Sequence, residues 1–243
     1  NQLATPSITL IKQQEGLIKR VEVLESKEVE IPIQYKTCVQ KPLSFNGKNC
    51  IFFGDSITYG YLANEVQSQS NYPKMFAQYV GATFNNRGVS GSTLTDLTAT
   101  DHQHDCIFNK IKSTNIGLGD FLFVAGGVND WSLGVNESRL ESAIVAICEY
   151  LKSNYDGVVT FITPINESGW TPYVTPTQTL QNVRNVITRV ALKYEYNVVQ
   201  GTDFPFPTKA DTESYKALMF QDNLHPTDLG YRMYAKALCN AVL

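Results

Sequence analysis

Four short stretches of this chain carry the side chains of one reaction. Gly54-Asp55-Ser56-Ile57-Thr58-Tyr59-Gly60 holds a serine between glycines. Asn86-Arg87-Gly88-Val89-Ser90-Gly91 supplies a glycine turn. Gly126-Gly127-Val128-Asn129-Asp130-Trp131 supplies an asparagine, and Asp222-Asn223-Leu224-His225-Pro226 pairs an acid with an imidazole. A serine hydroxyl is a poor nucleophile until a neighbouring base takes its proton. A neutral imidazole, whose ordinary pKa is about 6.5, can do so at neutral pH, and His225 is assigned that role. Asp222 stands three residues before His225, so one local turn can present both. Its carboxylate would accept the imidazole N–H, fix the tautomer and stabilise the imidazolium that forms. Acyl transfer passes through a tetrahedral intermediate with a negative oxygen, and each fixed donor aimed at it is worth ~10²–10³ in rate. The backbone N–H groups of Ser56 and Gly88 and the side-chain amide of Asn129 are the candidate donors. Gly88 suits a tight turn where an amide must approach substrate closely.

Each residue also has an ordinary reading. Taken singly, Ser56 is a turn serine, His225 a surface histidine before a proline, and Asp222 a turn or cap residue. It is their joint occurrence that selects chemistry. Asp55 and Asp130 are read as structural acceptors. His102-x-His104-Asp105 offers metal-ligand types. It is read instead as a polar loop ahead of a helix starting near Cys106, and neither metal nor cofactor is expected. Asn136-Glu137-Ser138 and Asn166-Glu167-Ser168 fit the glycosylation pattern, which recurs by chance in short stretches. Trp170 and Tyr173 stand in a Pro/Thr-rich loop. With Trp131 they are the candidate substrate-binding aromatics, able to stack on a sugar ring or hold an acyl group.

Regular elements must bring these stretches together. Cys50–Gly54 is a short continuous apolar run, as in a strand buried on both faces. Further strands are expected at Ala82–Asn86, Asp120–Ala125, Val158–Thr163 and Tyr196–Gln200. Helical spacing marks Asn71–Val80, Glu137–Ser153, Thr179–Tyr194 and Asp228–Val242. Leu140, Ile144, Ile147 and Leu151 form one inward stripe, and Leu180, Val183, Ile187 and Val190 another. In the closing helix Leu229, Met233, Ala237 and Leu238 are expected to face inward, with Pro226 and Thr227 marking its start. Strands alternating with helices imply an α/β fold with an open five-stranded parallel sheet covered on both faces. Ligands bind such sheets beyond the carboxyl ends of the strands, and the four stretches bearing Ser56, Gly88, Asn129 and His225 each follow a strand, the Asp222–Pro226 stretch after an intervening segment.

Residues 1–45 break this rhythm. Ile8–Ile11, Leu17–Leu24 and Val29–Ile33 alternate β-branched residues with Lys and Glu, which suggests short strands. They are assigned to a β-rich N-terminal appendage or linker, through which an oligomer could form, and residues 46–243 to the main domain. At 243 residues the chain can bury a core without staples. The net charge of −3 excludes the basic signature of nucleic-acid binders. No apolar run approaches the ~18–20 residues of a membrane span, so no membrane partner is expected. Charged residues are 18%, below the usual ~25%, which suits an uncharged partner. Five cysteines is an odd number, with no Cys-x-x-Cys, so a disulfide framework is disfavoured. Cys148 and Cys239 fall in helical patterns and read as small buried hydrophobes. The chain starts at Asn1 without a signal-peptide core after it, which points to a processed or cut product.

With these residues in view, the chain resembles the SGNH (GDSL-type) hydrolases. The family's motifs match Gly54-Asp55-Ser56-Ile57-Thr58, Gly88 with its neighbours, Gly127-Val128-Asn129-Asp130 and Asp222-Asn223-Leu224-His225, in order, over about residues 46–243. The resemblance implies a flavodoxin-like three-layer α/β/α sandwich and metal-independent ester hydrolysis. In it Ser56 is nucleophile, His225 base and Asp222 its orienter, with Ser56, Gly88 and Asn129 in the oxyanion hole. It also resembles modules of carbohydrate esterases and phage tail proteins. This favours an extracellular or virion-associated setting and a small acyl ester, acetyl above all, on a glycan. Two alternatives stay open: an O-acyltransferase on the same triad, and a glycan-binding module without turnover.

Overall fold

The structure is a computed structural model and describes residues 35–40, 42–62, 66–97, 105–165, 171–206, 212–219 and 222–243. The strands expected within residues 8–33 lie outside the described residues. Tyr35–Leu243 forms one compact unit. Its five strands are β1 (Asn49–Gly54), β2 (Thr83–Gly88), β3 (Phe121–Ala125), β4 (Val158–Ile162) and β5 (Asn197–Val199). They run in the order β2-β1-β3-β4-β5, and every pairing is parallel. This is the flavodoxin-like order, whose direction of winding reverses beside β1. All five expected strands are present, with ends shifted by at most two residues.

Period-two alternation along each strand builds two cores. Ile51 and Phe53 of β1, Leu122 and Val124 of β3, and Val159 and Phe161 of β4 face one layer. There they meet α3 (Ile107–Ser113), α5 (Glu137–Asn154) and α6 (Leu180–Lys193). Cys50, Phe52, Phe121 and Phe123 face the other layer. They meet α2 (Tyr72–Val80) and α8 (Asp228–Val242). Phe52 and Phe123 stack at 4.6 Å with their planes 6° apart, which ties β1 to β3 at the centre of that face. Helix starts follow their caps. Side chains of Asn71, Asn136, Thr179 and Thr227 accept N–H bonds from Lys74, Arg139, Asn182 and Gly230. Two further short helices, α4 (Val128–Ser132) and α7 (Thr212–Leu218), have no clear apolar period in the sequence.

Residues ahead of β1 also contribute. Leu43 and Phe45 join the second core, and Leu43 N–H donates to Val242 O at 2.9 Å. Cys38 forms an antiparallel bridge with Val198 of β5 and so partly covers that sheet edge. The five cysteines are unpaired; Cys50, Cys106, Cys148 and Cys239 are buried and Cys38 is exposed. No described helix is long and apolar enough to cross a membrane.

The stripes expected on α5 and α6 are buried as read. On α8 the expected face is displaced by about one position. Leu229 is 48% exposed, and Met233 and Ala237 are half-buried. The inward face is Tyr231, Tyr234, Ala235, Leu238 and Val242. The two tyrosines count as polar in a simple hydrophobic pattern, yet their ring bodies fill the core. Tyr234 stacks on Tyr72 at 4.3 Å. Leu229→Gln is therefore expected to change stability by less than about 0.5 kcal/mol, whereas Leu238→Ala should cost about 2–5 kcal/mol in urea unfolding. Comparable losses in both would restore the original phase.

Candidate active site

The carboxyl ends of the strands converge on one rim. β1 passes through Asp55 into α1 (Ser56–Tyr59), a single helical turn that begins on the serine. Asp55 caps that turn, its Oδ1 accepting from Ile57 N–H at 2.9 Å. Gly60 closes it at φ 88°, a left-handed conformation glycine adopts freely. Thr58 is fastened to α2 through Tyr72 Oη at 2.9 Å. The nucleophile turn is thus held at both ends and from the side, and Ser56 itself is 6% exposed.

The last helix brings the second part. Thr227 caps α8, and the loop just before it carries Asp222 and His225. Asp222 Oδ1 accepts the N–H groups of Leu224 and His225, both at 3.0 Å. Its Oδ2 lies 2.7 Å from His225 Nδ1. A carboxylate only accepts, so Nδ1 carries the proton and Nε2 keeps its lone pair. Nε2 lies 2.8 Å from Ser56 Oγ, across 169 residues of sequence. The structure therefore brings Ser56, His225 and Asp222 into one hydrogen-bonded chain. Burial raises the affinity of Asp222 for its proton. The hydrogen bonds from the His225 side chain and from the two backbone amides outweigh this, so its carboxyl lies below the ordinary value and is ionised at neutral pH.

The oxyanion candidates divide. Ser56 is the first residue of α1, where N–H groups have no partner within the helix. Asn129 sits buried on α4, beyond the neighbouring strand β3. One proton of its amide goes to Ser92 O at 2.9 Å, and an amide nitrogen carries two. Gly88 is held differently from the other two. It is the last residue of β2, paired with Gly54 of β1, and its N–H donates to Asn86 Oδ1 at 2.9 Å. Asn86 Nδ2 in turn donates to Thr58 O at 2.8 Å. A methyl group on Gly88 would collide with the backbone of Thr58 and Tyr59. Gly88 therefore lets β2 lie close under the nucleophile turn, and its proton is already engaged. The chain turns at Gly91, at φ 79°.

The aromatic candidates also separate. Trp131 is 7% exposed and its Nε1 donates to Gln178 O at 3.1 Å. It is a wall of the interior, not a surface platform. Tyr173 is 69% exposed, and its backbone N–H donates to Ser132 Oγ. Trp170 lies outside the described residues, as do His102 and His104. Among the described residues no group of His, Cys, Asp or Glu is arranged to hold a metal ion. Tyr61, not singled out from the sequence, lies with its ring 4.5 Å from that of His225.

A narrow cavity of about 30 Å³ lies above the ends of β1, β3 and β4. Its lining is mostly apolar and includes Ile57, Val128, Trp131, Ile165, Leu180 and Leu224, with Asp55 as a charged member. Arg184 of α6 fixes one wall, its Nε donating to Pro164 O at 2.8 Å and its Nη2 to Ile165 O at 2.7 Å. Asp130, fully buried, grips Leu94 and Thr95 N–H at 2.9 Å each and so holds the segment that follows the Gly91 turn. Burial pushes the Asp55 carboxyl up to about 6, opposed by the Ile57 N–H and the nearby His225 and assisted by Asp130.

The GDSL-like Lipase/Acylhydrolase family model matches residues 52–233. Among solved structures, the lipase/acylhydrolase from Enterococcus faecalis is 20% identical with a TM-score of 0.60, covering 79% of this chain and 94% of its own. A carbohydrate acetylesterase family member from Sinorhizobium meliloti is 14% identical with a TM-score of 0.57, covering 80% and 97%. A mutant of an acetyl-xylooligosaccharide esterase from Geobacillus is 19% identical with a TM-score of 0.57, covering 82% and 95%. At these identities the likeness is one of fold. No curated protein sequence matches.

The raised Asp55 carboxyl has a consequence for stability. Between its ordinary value of 3.8 and about 6 the folded chain holds this proton more tightly than the unfolded one. Stability contributed by the protonated carboxyl is lost as pH rises through that window. Asp55→Asn removes the charge and keeps an oxygen for Ile57 N–H. It should gain on the order of 2–3 kcal/mol over the parent at pH 8 and nothing near pH 4, in urea unfolding. A gain independent of pH would remove the charge from this account.

Proposed function

We propose, from the premise that this chain belongs to the GDSL-like lipase/acylhydrolase family, that it is a serine esterase removing small acyl groups, acetyl above all, from a carbohydrate. The observation that carries this reading is the unbroken path from Ser56 Oγ through the His225 ring to Asp222.

Ser56 Oγ attacks the ester carbonyl carbon as its proton passes to His225 Nε2, and the carbonyl becomes an oxyanion. The N–H of Ser56 and the remaining amide proton of Asn129 receive that charge. Asp222, ionised at neutral pH, stabilises the imidazolium. Collapse of the intermediate breaks the bond to the alcohol oxygen, which leaves with the proton from Nε2. A water then repeats the sequence on the acyl-serine and releases the acid. Gly88 stands outside the donor set and supports the turn from below.

A short acyl group draws support from the narrow, mostly apolar cavity whose lining includes Ile57 and Val128, the chain neighbours of Ser56 and Asn129. The carbohydrate half draws support from two similar folds, one described as a carbohydrate acetylesterase family member and one as an acetyl-xylooligosaccharide esterase.

Ser56→Ala should abolish p-nitrophenyl acetate turnover, and a fluorophosphonate probe should label Ser56 alone. Labelling elsewhere in folded protein would end the serine mechanism. Acetate should be released from acetylated polysaccharides; turnover of the small ester without it would turn the reading toward another ester or an acceptor alcohol. Asn129→Ala should lower kcat by roughly 10²–10³ and change KM far less, whereas a pure KM effect would take Asn129 out of the oxyanion site.

A further inference from the structure

Ser56 and His225 come from opposite ends of the domain, so something must keep their side chains in register. Tyr61 is tied to both. Its N–H donates to Ser56 O at 2.9 Å, so its backbone hangs from the nucleophile residue itself. Its carbonyl accepts Tyr231 Oη at 2.9 Å, and Tyr231 lies on α8, the helix that follows the His225 loop. The segment is stiffened by an antiparallel bridge between Tyr61 and Gln67, by Ser68 N–H to Gly60 O, and by Gln67 Nε2 to Tyr59 O at 2.8 Å. Ser68 also bonds Asp228 at the start of α8, and Arg232 reaches Ser70. From this frame the Tyr61 ring lies against the imidazole, centroids 4.5 Å apart and planes inclined at 43°.

We infer that Tyr61 is a positioning residue whose ring braces the His225 imidazole. The inference rests on the triad reading. The brace matters most when the Ser56–His225 bond is absent. In the acyl-enzyme Ser56 Oγ is esterified and has no proton to donate, so Asp222 alone holds the ring. One hydrogen bond to Nδ1 permits the ring to swing about that axis. A ring packed on its flank keeps Nε2 aimed at the place where water must be activated. In the imidazolium stage the aromatic ring also attracts the cation. The Tyr61 hydroxyl has no part in this, since it is the ring that meets the imidazole.

The test compares Tyr61→Leu, Tyr61→Phe and Tyr231→Phe by p-nitrophenyl acetate kinetics and by the far-downfield NMR signal of the His225 Nδ1 proton. Tyr61→Leu should lower kcat roughly 3- to 30-fold with KM within about twofold, and broaden the Nδ1–H signal by exchange. Tyr61→Phe should restore most of the rate and a sharp signal. Tyr231→Phe, which keeps every ring but cuts the tie from α8, should fall between them. If Tyr61→Leu does not fold, Tyr231→Phe decides by the same two measurements. A Phe variant as impaired as the Leu variant would overturn the brace in favour of the hydroxyl. A rise in KM on acetylated glycan alone, with p-nitrophenyl acetate kcat intact, would overturn it in favour of a sugar platform. The NMR signal requires no turnover, so loss of the brace and failure of the serine reading give different results.

Discussion

Every element of this domain answers to the requirement that five parallel strands end on the same rim. A parallel sheet needs a crossover between consecutive strands, and each crossover leaves its loop at the carboxyl edge. The serine turn and the asparagine helix are such loops, the Asp-His loop reaches the same rim from the segment after β5, and the sheet order places β3 directly beside β1. Covering both faces requires strands that are apolar on both sides, and β1 and β3 are buried almost throughout. Rigidity below and freedom above follow from one arrangement.

The rim is held by polar groups that an apolar core would avoid. Asp55 and Asp130 are carboxyls buried beside one another's loops, each offset by backbone N–H bonds. On the far side Thr163, Gln200 and Thr188 form a buried relay that fixes the end of β4 against Gly201, while Arg184 grips the next two carbonyls. Groups of this kind cost free energy to bury and specify one geometry in return. Their concentration at the carboxyl ends of the strands marks where the fold trades stability for alignment.

Much of this is legible in the chain. Continuous apolar runs announce β1 and β3, and stripes of period 3.6 announce α5 and α6, because burial on two faces or one leaves distinct patterns. Ser56, Asn129, Asp222 and His225 are legible because they occur together in short motifs that follow β1, β3 and, after an intervening helix, β5. What escaped has physical causes. The stretch 86–91 contains two glycines, and spacing cannot tell the one that permits close packing, Gly88, from the one that turns the chain, Gly91. On α8 Leu238 faces inward as expected, while Leu229, Met233 and Ala237 give way to Tyr231, Tyr234 and Ala235, because tyrosine is amphipathic and a pattern of aliphatic residues leaves it out. Trp131 stands in the sequence as a candidate substrate-binding aromatic, and the structure sets it in a wall, where its one donor meets the carbonyl of Gln178. Tyr61 left no signal at all, since its contact with His225 depends on a fold that joins residues far apart.

The distance in sequence between Ser56 and His225 also sets when the site can exist. The serine turn is synthesised before its partner, which follows all five strands. Pairings so remote are slow to form, because the chain must be closed over a long loop before any contact compensates for the lost entropy. On the proposed triad, Ser56 has no base until α8 docks. Recovery of turnover after denaturation is therefore a clock for the last event of folding, while the spectroscopic signals of helix and strand report the earlier ones.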